Sequence, residues 1–121
     1  MYFSSDVYTE LVCIDSNGRE KCGIVAGRKG TYYHIWQVKN KAKEDSNFKI
    51  GLVDKLKILY RMMKLKCDCW AVFHTHKKNL SMSKNDIDAA YVGSINIIIS
   101  DYQISCYTIL KENGIKKAIE I

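Results

Sequence analysis

The stretch Trp70-Ala-Val-Phe-His-Thr-His-Lys-Lys-Asn-Leu-Ser-Met-Ser-Lys-Asn-Asp-Ile-Asp88 decides how this chain is read. Its apolar opening, Trp70 to Phe73, predicts a short buried strand that runs out into His74-Thr75-His76. Side chains on a strand alternate faces, so residues two apart point the same way. His74 and His76 should therefore present their imidazoles to one side, where the strand leaves the core. A polar loop follows, and Ser83-Lys84-Asn85-Asp86 opens a helix predicted from residue 84 to about 92. Two imidazoles and a nearby carboxylate make a three-ligand set that suits zinc and leaves a fourth position for water. The same residues also have plainer readings. Ser-x-x-Asp is a capping box, in which Ser83 bonds the backbone at the helix start and Asp86 bonds back. A His-x-His pair alone is a weak sign of metal.

Composition sets the bounds. The chain has 121 residues, one domain by length, with 47% hydrophobic and 26% charged residues, the balance of a soluble globular protein. No apolar run approaches the ~20 residues that a membrane span needs. Met1 to Asp6 lacks a basic region followed by an apolar stretch, so no signal peptide is visible and a cytoplasmic protein is expected. Five cysteines fit reduced thiols, since an odd number cannot all pair internally. Cys67 and Cys69 are the close pair, and Cys69 reads as a small hydrophobe at the start of the buried strand. The net charge of +6 permits contact with nucleic acid or an acidic surface. The basic residues are spread along the chain without a run of five or six, so nothing favours nucleic acid further.

Upstream, residues 5 to 14 suit a helix capped by Ser5, with Val7, Leu11 and Ile14 on one face, although a strand would also fit their β-branched content. Ser16-Asn17-Gly18 is a turn. Ile24 to Ala26 reads as a central strand, with Gly23 and Gly27 marking close backbone approach or a bend. Arg28 to Gly30 turns the chain into a second strand, Thr31 to Val38. Residues 39 to 47 read as a polar loop. From Phe48 to about Lys64, Ile50, Val53, Leu56, Leu59 or Tyr60 and Met63 recur at three and four, which predicts an amphipathic helix with that stripe in the core. Its wet side would carry Lys55, Lys57, Arg61 and Lys64. Downstream, strands are expected at Ile95 to Ser100, Ser105 to Leu110 and Lys117 to Ile121, with turns at residues 101 to 103 and 111 to 114. The expected class is mixed α/β, a mixed sheet flanked by helices.

Taken together, Glu20-x-Cys22-Gly23, a strand ending at Gly27, His74-Thr75-His76 and Ser83-x-x-Asp86 resemble the JAMM (MPN-plus) metalloproteases. The resemblance covers Glu20 to Asp86 by motif and implies an MPN-like fold with one zinc per chain. By that resemblance His74, His76 and Asp86 are the zinc ligands, with water completing the coordination. Glu20 is the general base that takes a proton from this water and later delivers one to the leaving amine. Ser83 steadies the tetrahedral oxyanion through its hydroxyl. The implied activity is hydrolysis of an amide after the C-terminus of a ubiquitin-like or sulfur-carrier protein. Where the family commonly carries prolines, after the second histidine and before the serine, this chain has Lys77 and Met82, which predicts a more mobile loop. Two other classes are open to the same sequence: a non-catalytic scaffold of the same fold, and a basic nucleic-acid-associated protein.

Overall fold

The hairpin around Lys29-Gly30 sets up one half of the sheet. β2 (Cys22–Arg28) and β3 (Thr31–Val38) pair antiparallel through a two-residue turn with positive φ at both Lys29 and Gly30. The register slips between Ala26 and Gly27, so Tyr33 is an extra residue on β3. A Cβ on Gly27 would strike the Thr31 carbonyl at this bulge, and one on Gly23 would strike the Trp36 carbonyl and the Phe73 ring. Both glycines therefore mark close approach, as the sequence suggested.

This is a computed structural model that describes residues 1–44 and 47–121. Asp45 and Ser46, within the expected 39–47 loop, lie outside the described residues. The remaining elements are β1 (Tyr2–Phe3), α1 (Ser5–Val12), α2 (Leu52–Lys64), β4 (Cys69–Thr75), α3 (Lys84–Ala89), β5 (Ile95–Ser100), β6 (Gln103–Glu112) and β7 (Ile115–Glu120). Among the described residues the seven strands form one sheet in the order β1-β3-β2-β4-β5-β6-β7. β4 and β5 run parallel, as do β1 and β3, and the other neighbours are antiparallel. The mixed α/β class is thus observed. No helix is long and apolar enough to cross a membrane.

Both sheet faces are covered. On one, Val25, Ala71, Phe73, Ile97 and Ile99 pack with Val7 and Leu11 of α1. On the other, Cys22, Ile24 and Val72 pack with Ile50, Ile58 and Met62 beneath α2. Ser4, and not Ser5, caps α1, its Oγ accepting from the Val7 amide at 3.2 Å.

Two further expectations are corrected here. α2 begins at Leu52, four residues later than the periodicity suggested, because residues 47 to 50 are drawn into contacts with Asn40 and Lys41. Of its predicted core stripe Ile50, just before the helix, is buried, but the members on the helix face outward: Val53 is 65%, Leu56 57%, Leu59 52%, Tyr60 59% and Met63 69% exposed. The helix is apolar on two sides, and the narrower side, Ile58 and Met62 four residues apart, is the one that meets the sheet. Lys55, Lys57, Arg61 and Lys64 are exposed as expected.

Candidate metal centre

The centre lies where β2 and β4 end side by side. Cys22 pairs with His74, and the chain just before β2 continues the pairing past the strand end. Lys21 donates its amide to Thr75 Oγ1 at 2.9 Å, and the Thr75 amide donates to the Lys21 carbonyl at 2.9 Å. Thr75 points to the face opposite its two histidine neighbours. It can therefore grip the backbone beside Glu20 while they face the site. This supplies a physical reason for a hydroxyl residue between the two imidazoles. Thr75→Val keeps the shape but leaves the Lys21 amide without its side-chain acceptor, and is expected to cost about 1–3 kcal/mol of stability in urea unfolding. A variant within 0.3 kcal/mol of the wild type, roughly the error of such a comparison, would remove this role from Thr75.

α3 brings the carboxylate. Ser83 Oγ accepts from the Asp86 amide at 3.1 Å, and the Ser83 amide donates to Asp86 Oδ2 at 3.0 Å, a complete capping box. The helix is shorter than expected, ending at Ala89, and Lys116 Nζ from β7 donates to the Asp88 and Ala90 carbonyls at 2.9 and 2.7 Å. The loop that leads into α3 is tied to the sheet by Tyr107, whose hydroxyl donates to the Leu80 carbonyl at 2.7 Å.

These supports converge on one point. Asp86 Oδ2 lies 3.1 Å from His74 Nε2 and 3.0 Å from His76 Nε2, and the two nitrogens are 3.0 Å apart. A donor atom from each of Glu20, His74, His76 and Asp86 lies within 4.8 Å of every other. All five sequence-predicted residues are thus brought together, with Ser83 joined through its capping box. Ligand atoms at ~2.0–2.1 Å from a tetrahedral zinc would stand ~3.3 Å apart, a few tenths wider than this triangle. Glu20 Oε1 is buried without a hydrogen-bond partner among the described residues. The donor set and this orphaned oxygen fit a divalent metal such as zinc.

Electrostatics point the same way. Burial, reinforced by the Asp86 charge and opposed by His76 and Lys77, pushes the Glu20 carboxyl up to about 7. Burial pulls His74 below the ordinary histidine value, against the pull of Asp86. For His76 burial works downward, but the hydrogen bond and charge of Asp86 outweigh it and the pKa rises. Asp86 is held well below the usual carboxylate range: burial opposes this, and bonds from both histidines prevail. The charged forms of His76 and Asp86 thus favour one another, and a metal ion would compete with a proton for the His76 imidazole.

Sequence reasoning missed Phe48 and Asn40. Phe48, read as the first residue of a helix, lies before it and stacks on His74 with ring centroids 4.2 Å apart. Asn40, read as loop, is buried and holds the Glu20 carbonyl at 2.8 Å. Neither carries a spacing signal, because both reach the site through the tertiary fold. His34, for which the sequence named no partner, stacks on Trp36.

The site and sheet define a mixed α/β protein with a buried Glu/His/His/Asp group able to hold a metal ion. No protein-family model matches the chain, and no curated protein does. Among solved structures it resembles the solution structure of protein DSY2949 from Desulfitobacterium hafniense, a structural-genomics target. That match has 19% identity and a TM-score of 0.74, covering 98% of this chain and 89% of the other. The likeness concerns the fold.

Proposed function

We propose that this protein is a zinc-dependent isopeptidase or peptidase of the JAMM type with an MPN-like fold. Its substrate is an amide after the C-terminus of a ubiquitin-like or sulfur-carrier protein. The observation that carries the proposal is the convergence of His74 Nε2, His76 Nε2 and Asp86 Oδ2 within 3.1 Å of one another, with the Glu20 carboxylate beside them.

His74, His76 and Asp86 would hold the metal. Zinc in such a site supplies Lewis acidity and brings a bound water's pKa to roughly 7. Glu20, a buried carboxylate beside the three ligands, would accept the proton that the attacking water gives up. It then returns a proton to the leaving amine nitrogen. The oxygen of Ser83 is occupied as an acceptor by the Asp86 amide, so its hydroxyl hydrogen is available to donate to the developing oxyanion. The capping and catalytic readings of Ser83 are compatible.

A groove of about 530 Å³ supports a polypeptide substrate. Ile24, Ile58, Met62 and Val72 line it, with Asp86 near the metal end and Trp70 four strand positions, or ~13 Å, back along β4. Leu59 of α2 also lines the groove, and the same helix exposes Val53, Leu56, Tyr60 and Met63, apolar side chains of the kind that mark protein contacts. The test is hydrolysis of C-terminal amide fusions of ubiquitin-like and sulfur-carrier proteins by protein purified without added metal. Cleavage should stop on removal of zinc with a chelator and return when one equivalent is restored. Retention of full cleavage in demonstrably zinc-free protein would overturn the proposal.

A further inference from the structure

A metal-bound imidazole is ordinarily oriented by a hydrogen bond from its other ring nitrogen to a carboxylate, carbonyl or water. At His74 a ring contact stands at that side of the imidazole. Its Nδ1 is buried and has no hydrogen-bond partner among the described residues. The Phe48 ring lies against it, centroids 4.2 Å apart and planes 18° from parallel, while His76 meets it edge-on at 4.7 Å. Turning the His74 ring about its own axis would drive it into Phe48.

The segment bearing Phe48 is itself fixed. Asn40 Nδ2 donates to the Asn47 carbonyl at 2.7 Å and Asn40 Oδ1 accepts from the Lys49 amide at 3.0 Å, one bond on each side of Phe48. The same carboxamide donates to the Glu20 carbonyl at 2.8 Å and accepts from the Ala42 amide at 2.9 Å. With two donations and two acceptances its capacity is filled. One buried side chain therefore sets the ring that meets His74 in fixed relation to the backbone of Glu20.

We propose that Phe48 is a positioning residue of the metal centre: its stacked ring, held in place by Asn40, orients the His74 imidazole. This rests on reading the cluster as a metal site.

The experiment compares wild type, Phe48→Leu, Phe48→Met and Phe48→Tyr. Histidine-labelled, metal-free protein is read by NMR, and zinc affinity is measured by chelator competition. In wild type and Phe48→Tyr the His74 ring protons should be displaced upfield by the stacked ring. That displacement should vanish in the Leu and Met variants. Zinc affinity should fall about 10-fold or more in both, the size seen when an orienting partner of a ligand is lost, and should be retained in Phe48→Tyr. Either variant suffices should the other fail to fold. Wild-type affinity retained within about twofold in Leu or Met, or no upfield displacement in the wild type, would overturn the proposal. Absence of zinc binding in the wild type would overturn the metal-centre reading itself, a result distinct from an unchanged ratio between variants.

Discussion

Glu20→Gln is expected to bind zinc with near wild-type affinity and to hydrolyse amides more slowly by a factor on the order of 10²–10⁴, the usual contribution of a positioned acid–base group. The substitution is nearly isosteric, and the support of this position lies in the backbone. Its carbonyl bond to Asn40 and the Lys21–Thr75 pairing next to it do not involve the carboxylate. The side chain has little to lose structurally, since Oε1 has no hydrogen-bond partner among the described residues. What disappears is a site for a proton. Zinc content and turnover, measured on the same preparation, check this directly. Turnover within about threefold of the wild type would place the base elsewhere.

The same variant has a signature in metal-free protein that does not depend on activity. Burial first, and the Asp86 charge second, raise the Glu20 pKa from 4.5 to about 7. The sign follows from the raised value. The folded state holds the proton more tightly than the unfolded chain, so this contribution to stability is complete below pH 4.5 and is lost as pH rises through about 7. Glutamine carries no such dependence. Metal-free Glu20→Gln should therefore match wild type near pH 4.5 and exceed it at pH 8, by on the order of 1–3 kcal/mol.

How much of this was legible in the sequence depended on whether the signal was local. β4 and its two histidines could be read because an apolar run and a period of two need only neighbours. The capping box at Ser83 and the β2–β3 hairpin could be read for the same reason. β1 could not: two residues, Tyr2 and Phe3, pair parallel to β3 and are too short to show a period. The later turns closed on two residues each, Asp101-Tyr102 and Asn113-Gly114, all four with positive φ, so β6 grew beyond both expected ends. The orientation of α2 failed because hydrophobic periodicity reports that a helix has an apolar side without saying which apolar side meets the sheet. With Leu52, Val53, Leu56, Leu59, Tyr60 and Met63 on the outside, the larger side was the exposed one. At the candidate metal centre His74, His76 and Asp86 could be picked out by local spacing and Glu20 only through the family resemblance, whereas Phe48 and Asn40, which pack against this group, could not. Donors are recognised by their chemistry, and an aromatic or a carboxamide becomes a support only through what the fold places next to it.

His76→Ala separates the metal from the fold. His74 would be the wrong ligand to delete, because it is fully buried under Phe48 and its loss would open a cavity in the sheet face. His76 lies just past the end of β4 and is only partly buried, and its amide donates to the Ile99 carbonyl at 2.8 Å whatever the side chain. Removing its imidazole takes away one of three donors. If the three share a zinc binding free energy of roughly 10–16 kcal/mol, the loss is about 3–5 kcal/mol, or 10²–10⁴ in affinity. Protein purified without added metal should then carry about one zinc per chain as wild type and far less as His76→Ala, with no hydrolysis above background. Asp86 would still accept from His74 and the Ser83 amide, so the start of α3 should survive and the metal-free variant should melt close to metal-free wild type. Equal zinc in both proteins would put the metal elsewhere and take the ligand assignment with it. A collapse of the fold on deleting His76 would mean that the imidazole–carboxylate pair is structural, and that the donors converge to hold α3 against β4 rather than to bind an ion.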